Sequence, residues 1–129
     1  MLRHDILSDV FSIIKNGEKS GKLEVYVPAS NLVKSVLLVL QKENYIGEFE
    51  FIDDKRGGKF KIQLLKKINE CNSIRPRISV KNKDIIKYEK RYLPSVNTGI
   101  IIISTSKGVM THNQAKEANL GGKLLGYVY

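Results

Sequence analysis

The sequence holds a single cysteine, Cys71, among 129 residues, so no disulfide can close within the chain, which suits a reducing compartment. No His or second Cys stands at ligand spacing from it, and Cys71 reads as a small apolar filler. Long apolar runs are missing too. The most apolar charge-free stretch, Gly99 to Ile103, is far shorter than the roughly 20 residues a bilayer requires. At the N-terminus His4 and Asp5 interrupt the segment where a secretory signal needs an unbroken apolar core. The cytoplasm is therefore the expected location, with no role at a membrane. Internal repeats and low-complexity linkers are also absent.

Catalytic motifs are lacking as well. Lys55-Arg56-Gly57-Gly58-Lys59 does not end in the Gly-Lys-Ser/Thr of a phosphate-binding loop. No Gly-x-Ser-x-Gly context surrounds Ser104 or Ser106. Asp53-Asp54, flanked by Lys55, Arg56 and Lys59, reads as a self-neutralising turn rather than a metal site. A nucleophilic enzyme would have to work through His112, which reads as the first residue of a short helix. No enzymatic activity, cofactor, metal or small-molecule substrate is expected.

What is present is an ordinary globular composition with an uneven charge. Hydrophobic residues make up 42% and charged residues 27%, enough to fold one domain or two small lobes. The 22 Lys and Arg against 13 Asp and Glu leave +9, with a pI near 9.7. The excess is concentrated: residues 1–54 hold 6 basic and 9 acidic side chains, residues 55–91 hold 13 and 3, and residues 92–129 hold 3 and 1. The middle segment alone carries net +10. Such a segment suits a polyanion, of which phosphate backbones are the commonest in a cytoplasm; a solvated lysine-rich face is the alternative on charge alone.

Hydrophobic periodicity organises the first lobe, residues 1–65, as α-β-α-β-β. Ile6, Leu7, Val10, Ile13 and Ile14 form one helical stripe from Asp5 to Asn16, with Asn16-Gly17 as its stop. Leu23, Val25 and Val27 alternate with polar neighbours before Pro28, the pattern of a half-buried strand. Ser30 suits the N-cap of a second helix whose stripe is Val33, Val36, Leu37 and Leu40. Glu48 to Phe51 and Lys59 to Leu64 alternate as two strands around the turn Asp53 to Gly58.

The second lobe, residues 66–129, reads as mostly β with short helices, so the fold class is α/β of the α+β kind. Pro76 and Pro94 break up residues 66–98, where a short helix around Asp84 to Arg91 would set Ile85, Tyr88 and Tyr92 on one face. Its tyrosines read as core, with base stacking as the competing role. Ile100 to Ile103 is β-branched without alternation, as in a strand covered on both faces. Thr111 and Gln114 have the spacing of a capping box, Gly121-Gly122 breaks the short helix that follows, and Lys123 to Tyr129 closes the chain as a strand.

Between that covered strand and the capped helix lies Ser104-Thr105-Ser106-Lys107-Gly108. Three hydroxyls can donate to phosphate oxygens and accept from 2′-hydroxyls, Lys107 adds a charge, and Gly108 lets backbone approach a ligand. A small, nearly neutral reader beside a basic stretch suits folded RNA; a plain polar turn is the competing reading.

Ser104 to Thr111, followed by Gln114-Ala115, Gly121-Gly122 and Gly126-Tyr127-Val128-Tyr129, resembles the C-terminal signature of the universal small-subunit ribosomal protein S8 family. The likeness extends upstream to Pro28-Ala29-Ser30, Tyr45 to Asp54, Arg75-Pro76-Arg77 and Arg91-Tyr92-Leu93-Pro94, and so covers essentially the whole chain. The hairpin Tyr45 to Glu50 resembles archaeal or eukaryotic members, and Met1-Leu2-Arg3 with Ile6-Leu7 and Asp9 leans to the eukaryotic cytosolic form. Departures are Ile6 where many members have proline, and Asn31 where a basic residue often stands.

The resemblance implies two α/β lobes and a structural protein of the small ribosomal subunit that binds an irregular hairpin of the rRNA central domain early in assembly. Its partners would be small-subunit rRNA and neighbouring ribosomal proteins. Carried over by position, Ser104, Thr105, Ser106, Lys107 and Gly108 would meet an RNA internal loop, with Gly121 and Gly122 close by. Ser30, Lys34, Lys55 and Arg56 of the first lobe would touch an adjoining helical part, and Arg75 and Arg77 complete the candidate RNA-binding residues. Some relatives bind their own message, so a stand-alone mRNA-binding translational repressor is the alternative role.

Overall fold

The computed structural model describes residues 6–74, 77–95 and 98–129. It has the expected α+β architecture, divided into two compact units, Met1–Cys71 and Asn72–Tyr129.

The first unit contains α1 (Ile6–Lys19), β1 (Glu24–Pro28), α2 (Asn31–Lys42), β2 (Ile46–Ile52) and β3 (Lys59–Leu64). Its strands form an antiparallel sheet in the order β1-β3-β2. Pro28 has no ladder hydrogen to donate, and it sits at the end of an edge strand, where none is required. Val25, Val27, Phe60, Ile62 and Leu64 are buried beneath Leu7, Val10, Phe11 and Ile14 of α1 and Val33, Val36, Leu37 and Leu40 of α2. The opposite face carries charge, with Lys61 across from both Tyr26 and Glu50 and 3.3 Å from the Glu24 carboxylate. Ser30 caps α2, its Oγ accepting the Val33 amide at 3.1 Å.

Asn16-Gly17 does not stop α1, which continues to Lys19. Gly17 is buried, and a Cβ there would lie 2.5 Å from Val25 Cγ1 and 2.9 Å from Leu64 Cδ1. The residue is small because helix and sheet approach closely, not because the helix ends there. Residues 66–71 belong with this unit because α1 holds them. Glu18 accepts the amides of Lys66 and Ile68 at 3.2 and 2.9 Å, Lys15 pairs with Glu70 at 2.5 Å, and the Cys71 thiol donates to the Phe11 carbonyl at 3.4 Å. Burial pushes the Cys71 thiol up to about 12, in keeping with its reading as a filler.

The second unit contains β4 (Cys71–Ser73, beginning at the boundary), β5 (Ser79–Val80), a 3-10 turn Asn82–Asp84, α3 (Ile85–Tyr92), β6 (Ile100–Thr105), β7 (Gly108–Thr111), α4 (His112–Glu117) and β8 (Gly122–Val128). The sheet runs β4-β8-β6-β7, with β5 also pairing β8. Central β6 is buried from Ile100 to Ile103, as a strand covered on both faces must be. Ile74, Val80, Ile85, Leu93, Ile101, Ile103, Ala115 and Leu124 form one core. Tyr88, Tyr92, Tyr127 and Tyr129 pack against it as a column of stacked rings, with centroids 6.5, 5.3 and 6.2 Å apart.

Candidate nucleic-acid interface

The hydroxyl-rich segment is the tip of the β6-β7 hairpin, with Thr105 registered to Gly108 and Ser106-Lys107 as the turn. Both turn residues keep negative φ, so the reversal is completed by Gly108 at φ +115. No other residue type adopts that value easily, and no atom lies within 4 Å of where its Cβ would stand. Thr105 holds the tip together: its Oγ1 donates to the Gly108 carbonyl at 2.8 Å and accepts the Lys107 amide at 3.1 Å. Among the described residues the Ser104 and Ser106 hydroxyls have no such partner. Ser106, Lys107 and Gly108 are exposed.

Packing also explains the neighbouring glycines. A Cβ on Gly122 would collide with the Ser104 carbonyl oxygen and lie 2.9 Å from Ile103 Cγ2. One on Gly121 would collide with the Val80 carbonyl and lie 3.2 Å from the Lys81 Cα. Gly121-Gly122 thus brings β8 against β6 and β5 beneath the hydroxyls. The preceding helix has already ended at Glu117, and Asn119 takes the positive φ of +57 that follows it.

Two residues of this site were not legible in the sequence. Lys123 is registered to Ser104 across β8 and β6, and it is exposed, so a second cation flanks the hydroxyls opposite Lys107. Its place depends on a register shift between Ile102 and Ile103, which leaves no local signal. Asn82 donates from Nδ2 to the Ala115 and Leu120 carbonyls at 3.0 and 3.1 Å, pinning the end of α4 just before Gly121. In the sequence it is one polar residue in a polar run.

His112 braces the platform from behind. Thr111 and Gln114 form the expected capping box, at 3.1 and 3.2 Å, and His112 follows, buried. Its Nδ1 accepts the Ile101 amide at 3.0 Å, continuing the ladder of β6 where β7 has turned into helix. Nε2 lies 3.4 Å from Glu89, which also pairs with Lys116. Both ring nitrogens are thus engaged, leaving none to take a proton from a serine. Burial pushes the His112 pKa below 6.5, and Glu89 only partly offsets it. A depressed histidine is neutral in the fold but takes up a proton when unfolded, so its stabilisation is present above pH 6.5 and lost as pH falls from there toward the folded value. Urea unfolding between pH 7 and 5 is expected to show stability declining with acidity, with a slope that His112→Gln reduces by up to about 1.4 kcal/mol per pH unit. An unchanged slope would remove His112 as the titrating group.

In the first unit Ser30 and Lys34 lie beside the β2-β3 turn. Ala29 donates to the Gly58 carbonyl at 3.2 Å, and Ala29, Ser30, Asn31, Lys34, Gly57 and three phenylalanines line a groove of about 500 Å³. Asp53 accepts the Lys55 amide, and Asp54 those of Arg56 and Gly58, all at 2.9 Å. The bonds from Arg56 and Gly58 hold the Asp54 carboxyl below its usual range. The two aspartates shape a turn that displays Lys55 and Arg56 to solvent, and no group of three metal-binding side chains occurs among the described residues. Arg77 is half-buried in the second unit, and Arg75 lies outside the described residues. No described helix is long and apolar enough to cross a membrane.

The family model described as ribosomal protein S8 matches residues 5–129. The chain is 50% identical, over 129 residues, to the small ribosomal subunit protein uS8 of Picrophilus torridus and to that of Thermoplasma volcanium. Each match covers 99% of this chain and 100% of the relative. With a match of this extent, the chain belongs to the ribosomal protein S8 family.

Proposed function

We propose that this chain is a structural constituent of the small ribosomal subunit that binds an irregular hairpin of the central domain of small-subunit rRNA and supports assembly. It works in the cytoplasm within the ribosome, beside other small-subunit proteins. The observation that carries this reading is the β6-β7 tip, where two unpartnered hydroxyls, Ser104 at the end of buried β6 and Ser106 in the turn, stand between Lys107 and Lys123. Hydroxyls and exposed backbone recognise RNA shape and 2′-hydroxyls, and the lysines neutralise the approaching backbone. Thr105 acts as a positioning residue. Gly121 and Gly122 set the floor, and Ser30, Lys34, Lys55 and Arg56 supply a second contact, with Arg75 and Arg77 adding charge.

The test is titration of the full chain with a transcript of the rRNA central domain. Ser106→Ala is expected to leave the fold intact and weaken binding by about 1 to 2 kcal/mol. Wild-type affinity in a folded Ser104→Ala, Ser106→Ala variant would rule the tip out. Co-sedimentation with small subunits separates this role from that of a stand-alone mRNA repressor, which would be absent from them.

A further inference from the structure

We infer that α3 is a second phosphate-binding element, one that holds RNA backbone through a basic ridge separate from the hydroxyl tip; this rests on the RNA-binding reading above. Lys87, Lys90 and Arg91 are exposed at positions i, i+3 and i+4 of α3, with exposed Lys83 one turn earlier. Their spacing puts them along one side of the helix. The opposite side carries buried Ile85 with Tyr88 and Tyr92, and it is fastened to the core. The helix is therefore amphipathic, with core on one side and Lys87, Lys90 and Arg91 beside the half-exposed Ile86 on the other.

Little offsets that charge. Glu89, the one carboxylate of α3, is turned toward Lys116 and His112, and exposed Asp84 at the cap, three residues before Lys87, sets a single carboxylate against four cations. Like charges at i and i+4, Lys87 with Arg91, oppose helix formation in a segment of 8 residues. Such an arrangement is relieved by a polyanion lying along it. The cations are also held in place: Lys87 Nζ and Arg91 Cζ each lie 5.8 Å from the centroid of the neighbouring tyrosine ring.

The same geometry selects phosphate over base as the ligand group. The rings of Tyr88, Tyr92, Tyr127 and Tyr129 are stacked on one another and against the core. The rings are partly buried and engaged with one another, with the core and, at Tyr88 and Tyr92, with Lys87 and Arg91, so the outer side of α3 offers cations and Ile86 rather than open ring faces. A ridge of that kind grips backbone without reading sequence.

The experiment uses the full chain carrying Lys87→Gln, Lys90→Gln and Arg91→Gln, with the tyrosines untouched, titrated with the central-domain transcript over a range of salt. The slope of log affinity against log salt is expected to fall by about 2 to 3, and low-salt binding to weaken at least about tenfold. The loss caused by Ser106→Ala should be the same in this background as in wild type. A folded triple variant with an unchanged slope overturns the inference while leaving the tip reading in place; failure of the wild-type chain to bind the transcript sinks both. Should the variant not fold, acetylation of wild-type lysines decides: Lys83, Lys87 and Lys90 should be protected severalfold in the complex. Full reactivity there, or protection gained only when an acidic protein is added, makes the ridge solvated or a protein contact and overturns the inference.

Discussion

Gly122→Ala is expected to destabilise the protein by about 3 kcal/mol or more and to abolish most RNA affinity at 37 °C, although it adds only one methyl group, beneath the hydroxyl tip. The methyl would meet the Ser104 carbonyl oxygen and Ile103 Cγ2, so β8 must retreat from β6 just where the hydroxyls are held. Backbone cannot rotate aside as a flexible side chain can. Gly21→Ala provides the comparison: Gly21 has φ +73 but no atom within 4 Å of a Cβ, so it should lose only about 1 kcal/mol, from the left-handed conformation alone. Urea midpoints of the two variants measure the difference. Equal stabilities would mean that close approach at Gly122 is not what its glycine serves.

Ile103→Ala should cost about 2 to 5 kcal/mol, the range for emptying a fully buried aliphatic site. Ile103 is 0% exposed in the core of the second unit, directly before Ser104. β7 and β8 flank it at Met110 and Leu124; Met110 can shift into part of the space, but the hydrogen-bonded strands on either side cannot close the rest. Ile86→Ala, on a side chain 52% exposed, should change stability by no more than about 0.5 kcal/mol. Thermal unfolding of both variants tests the contrast. A loss in Ile103→Ala as small as that in Ile86→Ala would show that the platform does not depend on this packing.

The first unit was legible because its signals are local. Periods of 3.6 and 2 alternate along it, Ser30 caps where a cap is needed, and Asp53 and Asp54 announce their turn. Gly17 misled because glycine has two uses, and only the approach of Val25 and Leu64 shows which one applies. Residues 66–98 resisted reading because β4 has 3 residues and β5 has 2, too few to display a period. Both are strands only because β8, dozens of residues later, pairs with them.

The hydroxyl tip stood out for the same local reason, a β-branched run followed at once by small polar residues. Within it, the sequence treats Ser104, Thr105 and Ser106 alike. The fold separates them, committing Thr105 to the turn and leaving its neighbours unpartnered. Lys123 and Asn82 act across the sheet and across α4, which no single stretch of sequence reveals. The tyrosines of α3 pack, partly buried, against the core, and the cations between them fell to the outer side as a consequence.

The lone thiol carries an experimental consequence of its own. With its proton held so firmly and its sulfur tucked against the first helix, Cys71 is closed to alkylating reagents until that part of the chain loosens. The protein thus contains a built-in clock: each labelling event records one opening at the boundary where the first helix and the start of β4 meet, with no second thiol to confuse the signal.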